Sequence, residues 1–167
     1  MTNAVRILGL DPGLRRTGWG VITVDGARLS WIAHGVIAPD EKAPFAERLL
    51  CLFDGVTALV AAHQPDECAI EEIFVSVNAS STLKLGHARA AALVAAARAG
   101  APPAEYAASE IKKALVGAGA ADKKQVAFMV QRLLPSSGGA TADAADALAV
   151  AITHAHARRW RNLGSAA

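Results

Sequence analysis

The stretch Ile7-Leu8-Gly9-Leu10-Asp11-Pro12-Gly13 decides the fold. A compact apolar run of strand formers ends in a carboxylate, and Pro-Gly breaks the strand at once. A strand tip holds a side chain on rigid backbone, which suits a metal ligand or a catalytic acid. Asp is also common at the start of turns. The meaning of Asp11 therefore depends on the other acids in the chain.

Outward from this strand, Val5 to Leu10 reads as the first strand and Thr17 to Val24 as the second. Asp25-Gly26 makes a hairpin turn into a third strand over Leu29 to Ile37. Pro44 opens a helix in which Phe45, Leu49, Leu52, Val56, Leu59 and Val60 recur at helical spacing, and Pro65 follows its end. Glu67 to Ile73 is a short strand, Phe74 to Ser81 a loop, and Thr82 to Ala99 an Ala-rich helix. Glu105-Tyr106-Ala107 is a brief strand. Ser109 is expected to cap a short helix that stops near Gly117, and Asp122 the next, which ends at Leu134-Pro135. Asp143 to Trp160 is the last helix. This order of elements implies an α/β fold: a mixed sheet flanked by helices, in one domain spanning 1–167, with a short flexible tail after about residue 160.

Hydrophobic residues make up 53% of the 167 and charged residues 19%, which describes a folded chain rather than a disordered one. The apolar run Ala90 to Ala97 is too short to span a bilayer, which takes about 20 residues. No secretory signal is apparent, so a cytoplasmic protein is expected, with Cys51 and Cys68 as reduced core thiols. Charge is uneven. Residues 1–78 hold 6 Lys/Arg against 10 Asp/Glu, and residues 79–167 hold 11 against 5. The basic second half suits a polyanion.

Acids stand out at three places. Asp11 ends the first strand. Glu71 and Glu72 lie in an apolar strand, where a carboxylate is costly to bury unpaired. Alternation sends the two to opposite faces, and spacing does not say which faces a site. Asp143 and Asp146 share a helix face at i, i+3, and Asp146 takes a place where a core helix would put an apolar side chain. Carboxylates gathered without His or Cys suit Mg²⁺ or Mn²⁺. Two such ions about 3.5–4 Å apart clamp a phosphodiester, so metal-dependent phosphodiester cleavage is the expected chemistry. His154 and His156, at i, i+2, point to different sides of their helix and read as surface or helix-end residues.

Two helix starts carry cations where the dipole disfavours them: Lys112 and Lys113 after Ser109, and Lys123 and Lys124 after Asp122. A phosphate docked on the lysines and the free N–H groups would make sense of both. Arg15 and Arg16 are further candidates to hold backbone phosphate. Phe74, beside the polar loop of Ser76 to Ser80, suits either stacking on an unpaired base or packing in the core. Gly18 and Gly20 inside a strand point to close approach by another backbone or a ligand. Gly86 and Ala90 make a flat spot on the helix of Leu83 and Leu85, a candidate dimer face.

Taken together, the motifs resemble the RuvC-type Holliday junction resolvases from about residue 4 to about residue 156. The matching pieces run Gly9-Leu10-Asp11-Pro12-Gly13 with Thr17-Gly18, Ala69-Ile70-Glu71, Asn78 with Leu83-Lys84-Leu85-Gly86, and Glu105-Tyr106-Ala107. They continue with Lys112, Val116-Gly117, Lys123 with Gln125-Val126, and Ala142-Asp143-Ala144-Ala145-Asp146-Ala147-Leu148. The resemblance implies a ribonuclease H-like fold with a five-stranded mixed sheet. It implies a homodimer that binds four-way junction DNA and nicks two strands of like polarity, together with a branch-migration complex of the RuvA and RuvB type. By position it makes Asp11, Glu71, Asp143 and Asp146 the catalytic ligands of two Mg²⁺ ions per subunit, with Mn²⁺ an alternative. It makes Phe74 the base-stacking aromatic and Lys112 and Lys123 DNA contacts, with Asn78 and the neighbouring Lys113 and Lys124 beside them. Two rival readings are an RNA-processing nuclease of the YqgF type, which shares the Asp-Pro-Gly turn, and an actin-like ATP-binding module.

Overall fold

A computed structural model of the chain describes residues 4–164 apart from residues 74 and 76. Five strands form one sheet: β1 (Val5–Asp11), β2 (Thr17–Asp25), β3 (Arg28–Ile37), β4 (Glu67–Glu71) and β5 (Ala104–Tyr106). Their spatial order is β3-β2-β1-β4-β5. The first three pair antiparallel, whereas β4 pairs parallel to β1 and β5 parallel to β4. Five helices cover it: α1 (Phe45–His63), α2 (Ala79–Arg98), α3 (Ala108–Val116), α4 (Lys123–Leu133) and α5 (Ala142–Gly164).

Alternation along β1 builds two cores. Leu8 and Leu10 join Val56, Val60, Ala92 and Ala95 under α1 and α2. Ile7 joins Ile111, Val126, Leu148 and Ile152 under α3, α4 and α5. The same alternation in β4 sends Cys68 and Ile70 to the first core and Ala69 to the second.

The glycines of β1 and β2 explain how closely α5 lies on the sheet. A Cβ on Gly9 would stand 2.2 Å from the Ala147 carbonyl oxygen, and one on Gly18 would stand 2.0 Å from that of Asp143. A helix backbone thus rests directly on strand backbone, the close approach expected of Gly18.

Several boundaries differ from the sequence reading. The hairpin loop is Gly26-Ala27, since Asp25 pairs with Arg28 and Gly26 takes the positive φ of 58°. α2 begins three residues earlier than expected because Asn78 Oδ1 accepts from Ser81 N at 3.1 Å and caps it. Ser109 sits in the first turn of α3; the cap position is Ala107, whose N–H donates to Glu110 Oε2 at 2.8 Å. Asp122 caps α4 with Gln125 in a reciprocal box, as expected. α5 runs on to Gly164, past the expected end at Trp160, since no Pro or Gly interrupts residues 161–163. Cys68 is buried but Cys51 is exposed, because it lies one residue, about 100°, off the stripe of Leu52, Val56 and Val60 that α1 buries. Among the described residues no helix is long and apolar enough to cross a membrane.

Candidate active site

The β1–β4 register pairs Leu10 with Ile70, so Asp11 and Glu71 are the next positions on adjacent parallel strands. Asp11 shares the face of Ile7 and Gly9, and Glu71 the face of Ala69, the side on which α5 packs. The pleat turns Glu71 toward α5, although Glu72 also lines the cavity there. Glu71 is half-buried beside Asp11, while Glu72 lies past the strand end and is exposed.

α5 meets the same strand tips with its N-terminal turns. Thr141 Oγ1 accepts from Ala144 N at 3.4 Å, and the helix start presents Asp143 and Asp146. The positive end of the helix dipole there favours anionic side chains. Asp11, Glu71 and Asp146 face one cavity of about 320 Å³, with Lys112 of α3 and Lys123 of α4 on its wall. Asp143, one turn earlier on α5, lines an adjoining cavity with Arg15, Arg16, Ser81 and Lys84.

Electrostatics mark the first cavity. Burial, then the charges of Glu71 and Asp146, push the Asp11 carboxyl up to about 8. Burial also raises Glu71, against the hydrogen bond from Asp11 that stabilises its anion. One proton is thus shared across the pair and rests on Asp11 near neutrality. The Asp146 carboxylate in turn raises Lys123, whose Nζ stands 3.3 Å from Asp146 Oδ2. Arg16 Nε donates to Asp143 Oδ2 at 2.7 Å.

The acids therefore come together less fully than the sequence led one to expect. Among the described residues no three His, Cys, Asp or Glu side chains stand ready to enclose a metal ion. Asp146 and Asp143 stand instead in ion pairs with Lys123 and Arg16. The donor set still fits a hard divalent cation. It is all oxygen, it is crowded enough to keep a proton on Asp11, and two of its members already attract cationic side chains.

The remaining candidates divide. Lys112 reaches the cavity, whereas Lys113 lines a separate groove with Tyr106, Glu110 and His156. Lys124 is exposed, and Arg15 pairs with Glu41 at 2.8 Å. Leu85 turns into the acidic cavity and Gly86 lies under Ile73, while Leu83 and Ala90 are exposed. Phe74 lies outside the described residues.

His154 corrects the sequence reading, for it is buried rather than at the surface. Its Nε2 meets Glu67 Oε2 at 2.6 Å and its Nδ1 meets the Tyr106 hydroxyl at 2.8 Å. Spacing against His156 carried no trace of this, because both partners come from distant strands. In the sequence Thr17 marks only a strand start and part of a motif. It is fully buried, and its hydroxyl donates to the Gly13 carbonyl at 2.8 Å and accepts from Gly13 N at 3.2 Å. That bond closes the loop carrying Arg15 and Arg16 back onto Asp11.

Known proteins resemble this chain over most of its length. The family model described as crossover junction endodeoxyribonuclease RuvC matches residues 7–154. The chain belongs to the RuvC family. A RuvC of Caulobacter sp. strain K31 is 68% identical over 92% of this chain and 91% of its own length. A RuvC of Maricaulis maris is 66% identical over the full length of both. Among solved structures, T. thermophilus RuvC in complex with Holliday junction substrate superposes with a TM-score of 0.87 at 34% identity, covering 94% of this chain and 96% of that one. A five-stranded mixed sheet with this order is the ribonuclease H-like fold, shared here with RuvC.

Proposed function

We infer that the chain is a structure-selective DNA endonuclease that resolves Holliday junctions by paired nicks in two strands of like polarity, during recombination and repair. One observation carries the reading. In a chain of the RuvC family, Asp11, Glu71 and Asp146 face a cavity that Glu72, Lys112 and Lys123 also line. Carboxylates for a divalent cation and lysines for phosphate meet at one place.

Activity depends on a divalent metal. Asp11, Glu71, Asp143 and Asp146 would hold it, and Mg²⁺, two ions per subunit, suits these oxygen donors, with Mn²⁺ as a substitute. When bound, such ions activate the attacking water and stabilise charge on the phosphate and the leaving oxygen. The chain's own residues prepare for that. Asp11 keeps a proton until positive charge enters the cavity. Arg16 and Lys123 hold Asp143 and Asp146 and must release them before ligation. The lysines then neutralise phosphate, as point charges that suit backbone rather than base contact.

Phe74, three residues beyond Glu71, is the candidate to stack on a base unpaired at the junction centre. A homodimer matches the two-fold symmetry of the substrate and yields paired nicks. The exposed Leu83 and Ala90 of α2 are the residues proposed to meet the second copy. Cooperation with a branch-migration complex of the RuvA and RuvB type, in the cytoplasm, completes the reading. The RNA-processing and ATP-binding alternatives lose to the family match.

The test is a labelled four-way junction with a mobile core beside linear duplex of the same sequence, each in Mg²⁺ or EDTA, with Asp146→Asn as control. Paired, metal-dependent nicks confined to the junction and lost in the variant are expected. Equal cutting of duplex, or no recognition of the junction, would overturn the reading.

A further inference from the structure

Arg89 of α2 does not line the acidic cavity, yet its guanidinium reaches the strand that ends there. Its Nε donates to the Glu71 carbonyl oxygen at 3.1 Å, and its NH2 group pairs with Glu105 of β5. Only 14% of the Arg89 side chain is exposed. Burying a guanidinium is costly, and α2 is otherwise an Ala-rich helix in which Ala at this position would cost nothing. The neighbouring Ala88 is fully buried, so the root of the side chain is fixed.

The place it reaches is the end of the β1–β4 ladder. The β1–β4 ladder ends at Leu10 and Ile70, one residue short of Asp11 and Glu71. The peptide linking Glu71 to Glu72 is held at its N–H end, where Glu72 N donates to the Tyr106 carbonyl at 2.8 Å. Arg89 holds the carbonyl end of the same peptide. That unit is planar, so fixing both of its polar atoms fixes its orientation. The direction in which the Glu71 side chain leaves the strand follows from it. The planar fork of arginine suits a clamp that spans two strands, which a lysine cannot reproduce with one ammonium.

We propose that Arg89 is a positioning residue that, braced by Glu105, aims the Glu71 carboxylate into the cavity it shares with Asp11. This rests on the reading of Glu71 as a metal ligand, and it adds α2 and β5 to the elements that set the site. Groups that orient metal ligands from behind commonly change metal affinity by roughly 10–100-fold when removed.

The experiment compares the full-length protein with Arg89→Gln, Arg89→Lys and Glu105→Gln. Mn²⁺ binding is measured by calorimetry without DNA, the Mn²⁺ concentration for half-maximal junction cleavage is measured separately, and junction affinity is measured in EDTA. Arg89→Gln is expected to weaken Mn²⁺ binding about tenfold and to raise the cleavage midpoint by the same factor, with junction affinity within about twofold of wild type. Arg89→Lys should recover part of the loss, and Glu105→Gln should lose less than Arg89→Gln. Unchanged Mn²⁺ affinity in a variant that merely melts earlier would overturn the proposal, as would a loss of junction affinity matching the loss of cleavage. If Arg89→Gln does not fold, the Lys and Glu105 variants decide by the same two readouts. Wild-type protein that binds no Mn²⁺ would overturn the metal-ligand reading of Glu71 and this proposal together, whereas binding equal in wild type and all variants would overturn this proposal alone.

Discussion

Arg16 and Asp143 are joined by an ion pair of 2.7 Å across 127 positions of sequence, tying the loop after β1 to the first turn of α5. Both side chains are partly exposed, so the pair is worth at most about 1 kcal/mol. It nevertheless competes with any cation for Asp143. Arg16→Ala is expected to lower the metal concentration for half-maximal cleavage by up to a few-fold while weakening junction binding in EDTA by a similar factor. Metal titration and a binding assay on the same protein read the two effects, whose opposite signs distinguish a competing cation from a simple phosphate contact. A change of the same sign in both would count against the competition.

Asp11 makes the metal-free protein sensitive to pH in a definite direction. Its folded value near 8 lies above the ordinary 3.8. Between those values the folded state holds a proton that the unfolded state has lost, so stability in EDTA falls as pH rises from about 4 to about 8 and levels off beyond. At ~1.4 kcal/mol per unit the swing amounts to several kcal/mol at most. Asp11→Asn should flatten this slope and raise the melting temperature in EDTA at pH 8, while abolishing cleavage and most of the stabilisation by Mg²⁺. Melting curves across pH, with and without Mg²⁺, check it. An unchanged slope in the variant would remove Asp11 as its source.

Gly18 leaves no room for a side chain. A Cβ would stand 2.0 Å from the Asp143 carbonyl oxygen, which is helix backbone and cannot turn aside. Gly18→Ala must push the start of α5 away from β2, at a cost of about 3 kcal/mol or more. Because the segment pushed carries Asp143 and Asp146, activity should fall further than the lost folded fraction explains. Chemical denaturation and cleavage measured under conditions where the variant is fully folded would separate the two. Normal turnover by the folded variant would mean that the acids tolerate the displacement.

The strands and the acids were legible because each leaves a local mark. Val5–Asp11 is an apolar run with a Pro-Gly stop, Asp122 and Gln125 form a capping box, and Asp146 is an acid where a core residue belongs. Period-two alternation placed Glu71 and Glu72 on opposite faces, but only the register with β1 tells which faces α5. The ion pairs of Asp143 and Asp146, the burial of His154 and the reach of Arg89 to Glu71 join residues from distant elements, and no spacing along the chain encodes them. Cys51 shows the same limit from the other side, since a one-residue offset on α1 separates core from solvent.

Helix rise and strand rise coincide along α5 and β4. Asp146 and His154 are eight helical residues apart, about 12 Å, and Glu71 and Glu67 are four strand residues apart, about 13 Å. The far end of that match is a clasp: Arg158 Nε donates to Glu67 Oε1 at 2.7 Å, and His154 bridges Glu67 to Tyr106. Burial opposes ionisation of Glu67, but the hydrogen bonds and charges of Arg158 and His154 outweigh it and hold its carboxyl below the usual 4.5. A carboxyl lowered in the folded state contributes stability that is present above pH 4.5 and lost as pH falls through its folded value, opposite in sign to Asp11. Glu67→Gln should therefore destabilise the protein at pH 7 by about 1–2 kcal/mol and remove part of its acid lability, and Tyr106→Phe should cost about 1 kcal/mol with little change in that lability. Denaturation at pH 7 and pH 4 tests both. The clasp lies at the end of α5 away from Asp146, and the backbone contact at Gly9 also sets the helix, so the metal midpoint for cleavage should stay within about twofold in Tyr106→Phe. A larger shift would mean that the clasp, rather than the glycine contacts, sets the axial position of Asp143 and Asp146.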